Sequence, residues 1–164
     1  MTDDHLPPEA QAMLQQFIEQ EHGYLSWLGT TVEEFTYDAI TLAVPFDEKL
    51  TNPTSPPTMH GGIAATLIDT AGGLALRPSL ENPMQGGVAT INLNVNYLRR
   101  AAGDMTARAE VIRAGGSVGV SQVTVTSDVP DSPGESGGDR DAERSGRSEK
   151  PVAVGQGAYR LFQG

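Results

Sequence analysis

One stretch of the chain, His60 to Leu76, reads as a long helix, and the patterned stretches after it read as strands. Within that helix Ile63, Leu67, Thr70, Ala71 and Leu74 recur at about 100° per residue, so one face is apolar and Asp69 falls on the other. From Thr90 to Tyr97 the period drops to two, with Ile91, Leu93, Val95 and Tyr97 on one face and Thr90, Asn92, Asn94 and Asn96 on the other. Met105 to Ala114 and Val118 to Asp128 are β-favouring runs joined at Gly115-Gly116, a hairpin signal, and the second changes phase near Gln122 as a bulge would. Pro151 to Phe162 supplies a closing strand. A single long helix buries its face by lying against a sheet, and strands that follow one another without intervening helices pair antiparallel. The expected class is therefore α+β, an antiparallel β-sheet wrapped around a central α-helix.

Upstream, Pro7 to Gln20 places Ala10, Met13, Leu14, Phe17 and Ile18 at helical spacing, ending before Gly23. The pattern changes from Leu25 onward: Val32 and Phe35, a turn at Tyr37-Asp38, then Ile40, Leu42, Val44 and Phe46 read as a hairpin. Asp47 to Met59, broken by Pro53, Pro56 and Pro57, is expected as a loop. Val129 to Lys150 has almost no apolar residues to bury, so it is expected as a flexible acidic insertion. The organisation expected is an accessory helix over 1–24 and one domain over 25–164, interrupted at 129–150.

The 164 residues carry 21 acidic against 11 basic side chains, a net charge of -10, which argues against nucleic acid or an anionic membrane as partner. The only lysines are Lys49 and Lys150, and low lysine beside high acidity is the pattern of proteins that work in concentrated salt. The chain has no cysteine, which removes disulfides, thiolate ligands and a cysteine nucleophile, and it has no run of about 18 apolar residues. His5, His22 and His60 are too scattered to suggest a metal. The expected location is the cytoplasm.

The chemistry concentrates between Met59 and Asp69, MHGGIAATLID, with Asn52 before it and Thr90 after it. Paired glycines at a helix start leave backbone N–H groups open, and the helix dipole favours negative charge there. Gly61 or Gly62 could thus form an oxyanion hole, and fixed donors of this kind supply about 3 to 4 kcal/mol of transition-state stabilisation. The eight-residue step from Gly61 to Asp69 is a rise of about 12 Å on a helix, so one chain does not bring both to one carbonyl. Two copies with antiparallel helices would, giving paired sites at a two-fold interface. Ala65, Gly72 and Gly73 beside Asp69 are small enough for another backbone to approach.

These residues resemble the phenylacetate-degradation type of hotdog thioesterases, whose His-Gly-Gly motif is followed by an acidic residue on the central helix; the likeness covers roughly 25–162. The resemblance implies a hotdog fold and hydrolysis of an acyl-CoA to free acid and CoA in a homodimer or homotetramer, with no cofactor beyond the CoA of the substrate. It assigns the carbonyl-polarising amide to Gly61, the catalytic acid to Asp69, the upstream polar residue to Asn52 and the hydroxyl of the following strand to Thr90. His60 belongs to the motif either as a helix-start residue or in proton transfer, and Gly62 lies against the substrate. Asp69 either attacks the thioester carbon or acts as general base on water. Arg99, Arg100 and Arg113 are the clustered basic residues expected to meet the CoA phosphates. The competing readings are a non-catalytic acyl-CoA binding protein and an enoyl-thioester hydratase of the same fold.

Overall fold

The computed structural model describes residues 6–130 and 149–164. Helix α1 (Pro8–Gln16) widens into a π-helical turn, Phe17–Glu21, and His22 caps a short helix α2 (Gly23–Trp27) through its ring nitrogen. Strands β1 (Thr31–Phe35) and β2 (Ala39–Val44) form the first hairpin; two-residue strands β3 (Thr51–Asn52) and β4 (Thr58–Met59) pair ahead of helix α3 (Gly61–Ala75). Strands β5 (Gly87–Tyr97), β6 (Met105–Ala114), β7 (Val118–Ser127) and β8 (Lys150–Phe162) complete the chain. Six of these strands make one antiparallel sheet in the order β1-β2-β6-β7-β8-β5, and α3 packs against it. This is the expected hotdog arrangement.

The core lies between α3 and the sheet. From α3 it takes Ile63, Ala64, Leu67, Ile68, Ala71 and Ala75; from the strands Ile40, Leu42, Val44, Met105, Ala107, Ala109, Val123, Val125 and Ala153. Burial of each large aliphatic side chain contributes about 1.5 to 3 kcal/mol, which outweighs the helix-weakening glycines of α3, each about 1 kcal/mol. The buried face is rotated from the one expected: Ile68 and Gly72 are inside, whereas Thr70 and Leu74 are half-buried at its margin.

Three other sequence expectations are corrected. The phase of β7 does not change near Gln122: Gly119, Ser121, Val123, Val125 and Ser127 all face inward. The inward positions at its start are small because Leu76 lies over Gly119 and Ser121 donates to the Gly72 carbonyl; the irregularity sits on β6, between Val111 and Arg113. The N-terminal apolar stripe is divided, with Ile18 fully buried and Met13 and Phe17 exposed. Residues from Leu25 first belong to α2, and strand begins at Thr31. The insertion expected at 129–150 falls mainly on 131–148, outside the described residues; Lys150 already opens β8.

Candidate active site

Asp69 sits in the third turn of α3, half-buried, and its Oδ1 accepts a 2.6 Å hydrogen bond from Thr90 Oγ1 on β5. Alternation alone would turn Thr90 to the other face from Leu93, Val95 and Tyr97. A bulge prevents this, since Thr90 pairs with Tyr159 and Asn92 with the adjacent Ala158, so two steps on β5 meet one on β8. The extra residue, Ile91, absorbs the phase, and Thr90 joins Leu93, Val95 and Tyr97 on the side that meets α3.

Two of the small residues beside Asp69, Gly72 and Gly73, make room for the chain's own Tyr159. Tyr159 is 1% exposed, and its hydroxyl lies against Gly72 and Gly157, where a Cβ on either glycine would be 2.3 Å from that oxygen. The hydroxyl donates to the Asp69 carbonyl at 3.1 Å, in a turn of α3 that Ser121 also braces through the Gly72 carbonyl at 2.9 Å. Burial, and then the nearby Asp69 carboxylate, push the phenol up to about 12 against an opposing hydrogen bond from Ser121. Tyr159 is therefore a neutral donor that fixes the backbone beneath the carboxylate. Sequence reasoning passed over it because a Tyr in a closing strand is ordinary; the glycines at 72 and 157 are the signal that could have found it.

At the other end of α3 the paired glycines are unequal. His60 is the N-cap, and its Nδ1 accepts from the Gly62 N–H at 2.9 Å, so Gly62 is not free to polarise a carbonyl. His60 holds the helix start by this bond. The Gly61 N–H has no acceptor among the described residues, and the Tyr97 ring lies 3.0 Å from where a Gly61 Cβ would stand. Asn52 is close by, on the β3–β4 hairpin, where its Nδ2 makes a long 3.4 Å contact with the Met59 carbonyl. The chain thus presents two groupings along one helix: Asn52, His60 and Gly61 at its start, Asp69 and Thr90 about 12 Å further on.

The expected arginine cluster divides. Arg99 and Arg100 follow the Tyr97 end of β5, and Arg99 donates to the Pro151 carbonyl at 2.7 Å. Arg113 pairs with Val120, which is level with Ala158 and Asn92, several residues away towards the opposite end of the sheet. Within one chain these three do not form a single patch.

Asp69 and Thr90 open into a cavity of about 360 Å³. Its walls are Thr66, Thr70, Gly73 and Leu74 of α3, Val88 of β5, and Phe17, Ile18, His22, Tyr24 and Leu25 from the N-terminal segment. That segment, expected only as an accessory, is tied to α3 by a 2.8 Å hydrogen bond between Tyr24 and Thr66. A half-buried carboxylate oriented by a hydroxyl, at the mouth of a largely apolar cavity, can activate water or attack an electrophilic carbon. Among the described residues no three His, Asp or Glu side chains gather as a metal cluster, and no helix is long and apolar enough to cross a membrane.

Comparison with known proteins bears on the family and the fold. Residues 57–133, a segment that takes in β4, α3 and β5 to β7, match the family model described as thioesterase superfamily. A protein of Halobacterium salinarum provisionally named an esterase is 45% identical over 94% of this chain and 94% of its own length. One of Haemophilus influenzae, provisionally named in the same way, is 32% identical over 62% of this chain and 71% of its own length. Among solved structures, a Haemophilus influenzae thioesterase superimposes with a TM-score of 0.71 at 24% identity, covering 93% of this chain and 90% of the other, which bears on the fold alone. Matched over nearly its full length by a relative of this kind, and built on the fold the family uses, the chain belongs to the thioesterase superfamily.

Proposed function

We propose that the chain hydrolyses an acyl-CoA to free acid and CoA, as a thioesterase of the phenylacetate-degradation type, at paired sites shared between two copies. The observation that carries this reading is the Asp69–Thr90 pair facing an apolar cavity, while the unclaimed Gly61 amide stands at the far end of the same helix. One chain holds the carboxylate and a second supplies the donor.

The sheet edges support a two-fold partner. At one edge β1 is short, bulged and acidic, as protected edges are; at the other, β5 runs for 11 residues with Ile91 59% and Tyr97 58% exposed. Antiparallel pairing of two β5 strands about a centre near Leu93 and Asn94 brings Thr90 of one copy alongside Tyr97 of the other. Tyr97 packs on Gly61 and Thr90 on Asp69, so such pairing carries each Gly61 amide towards the opposite carboxylate.

In that site the Gly61 N–H stabilises the oxyanion as the thioester carbonyl becomes tetrahedral. Thr90 occupies Oδ1 and leaves Oδ2 of Asp69 to act. Attack by Oδ2 forms a mixed anhydride and expels CoA thiolate, and water then cleaves the anhydride; alternatively Oδ2 takes a proton from the attacking water. Oxygen-18 appearing in Asp69 during a single turnover in labelled water identifies the covalent route. Arg99 and Arg100 supply positive charge to the CoA phosphates, and Asn52 borders the thioester at the helix start. An aryl-acetyl or medium aliphatic acyl group fits the cavity.

Asp69→Asn tests the reading, since the amide keeps the shape of the carboxylate but is neither basic nor nucleophilic. Thiol release from acyl-CoA should fall at least a hundredfold with the circular dichroism spectrum unchanged, and undiminished turnover would remove Asp69 from the mechanism. Tight acyl-CoA binding without thiol release in the wild type would instead mark a binding protein.

A further inference from the structure

Thr66, Asp69, Thr70, Gly73, Leu74 and Arg77 line the same cavity. Their spacing is that of one stripe of α3 continued into the 3-10 turn Arg77–Ser79, so the cavity is a groove running along the helix. Asp69 lies towards one end of this groove, and Arg77 closes the other, about 12 Å further on at helical rise. A second cavity, of about 630 Å³, continues past it, and the two share Phe17, Leu74 and Arg77 as a common wall. Arg77 is the arginine of both linings; the second cavity's lining also holds Glu21, which makes no ion pair with it.

Among the described arginines only Arg108 is ion-paired; what sets Arg77 apart is that it is half-buried, whereas Arg99, Arg100, Arg108, Arg113 and Arg160 are exposed. Arg108, on the outer sheet face, is held by Glu34 at 2.7 Å and Glu110 at 3.3 Å. Half-buried Arg77 donates one bond, from a terminal nitrogen to the Gly86 carbonyl at 3.2 Å, and meets no carboxylate among the described residues, although acidic residues outnumber basic ones 21 to 11. A guanidinium has five N–H donors in a planar fork that fits a carboxylate. Half-buried in a partly apolar groove, and with one N–H bond to a backbone carbonyl among the described residues, such a fork is suited to bind an anionic group there.

We propose that Arg77 selects acyl groups that end in a carboxylate, making the substrate the CoA half-thioester of a dicarboxylic acid. This rests on the thioesterase reading. The thioester sits at Asp69, the methylene chain runs over Thr70, Gly73 and Leu74 between Phe17, Ile18 and Val88, and the distal carboxylate meets the Arg77 fork. The anionic Asp69 at the near end disfavours the reversed orientation.

Matched pairs test it: hexanoyl- against adipoyl-CoA, octanoyl- against suberoyl-CoA, and decanoyl- against sebacoyl-CoA, each scored by kcat/KM. The wild type should prefer the carboxylated member of at least one pair by about tenfold or more, as a charge-assisted bond made in a groove provides. Arg77→Met should reverse that preference while keeping turnover of the plain chain within about twofold, and Arg77→Lys should retain part of it. A wild-type ratio at or below one in every pair overturns the inference whatever the variants do, and so does an unchanged ratio in Arg77→Met. If plain chains are hydrolysed and carboxylated ones are not preferred, this inference alone falls. If none of the six thioesters is hydrolysed while other acyl-CoAs are, it falls with the thioesterase reading intact; if no acyl-CoA is hydrolysed, both fall.

Discussion

Thr90 and Tyr159 brace Asp69 from opposite sides, one at the carboxylate and one at the backbone carbonyl, and their removal should have different signatures. Thr90→Val deletes the 2.6 Å bond at nearly constant volume, so kcat should fall about tenfold with KM little changed, and Thr90→Ser should restore most of it. Steady-state kinetics of the three proteins provide the measurement. Tyr159→Phe acts on stability. The phenol's value of about 12 in the fold lies above the ordinary value of about 10, so its contribution is fully present below pH 10 and lost as pH rises through 12. Denaturant unfolding should show the variant about 1 to 2 kcal/mol less stable at neutral pH, with the gap from wild type closing above pH 10. Of these residues, Asp69 and Gly61 were legible in the sequence because a carboxylate and an unencumbered amide on one helix carry chemistry wherever the face points. The sequence left Gly61 and Gly62 as equal candidates for the oxyanion donor, since only coordinates reveal that the His60 ring takes the Gly62 N–H. Thr90 was named through family resemblance, and its face was misread, because a one-residue bulge leaves no mark on an alternating pattern.

The helix α3 and the strands β5 to β8 were legible because their periods differ, near 3.6 and 2, and because Gly115 and Gly116 mark a turn. The N-terminal segment was legible only as helix: its π-turn and the short α2 answer to tertiary contacts, Ile18 in the core and Tyr24 on Thr66, which local pattern does not encode. The split of α3 into two half-sites yields a prediction at this scale. Asp69→Asn subunits and Gly61→Val subunits, the latter with a side chain driven against Tyr97, should each be inactive alone. After mixing and reassembly at equal amounts, half of the dimers would be mixed and each would hold one intact site of two, so activity should return to about a quarter of wild type. Subunit exchange confirmed by mass spectrometry with no recovery would place both groups in one chain's site.

For the whole molecule, charge is the governing property. With a net charge of -10 and three ion pairs among the described residues, all on exposed side chains, self-repulsion acts on the fold at low ionic strength. The Debye length shrinks from about 10 Å at 0.1 M salt to about 3 Å at 1 M, so the thermal midpoint should rise across that range, and a flat profile would show that acidity is incidental. The unpaired edge at β5 has a different consequence, one of mass action. If the edge is covered by a second copy, dilution below the dissociation constant uncovers a long strand with free N–H and C=O groups and an exposed Ile91 and Tyr97, a template for irregular pairing with other chains. The protein's own concentration would then set its shelf life as well as its rate, with the dilute solution being the one that loses material.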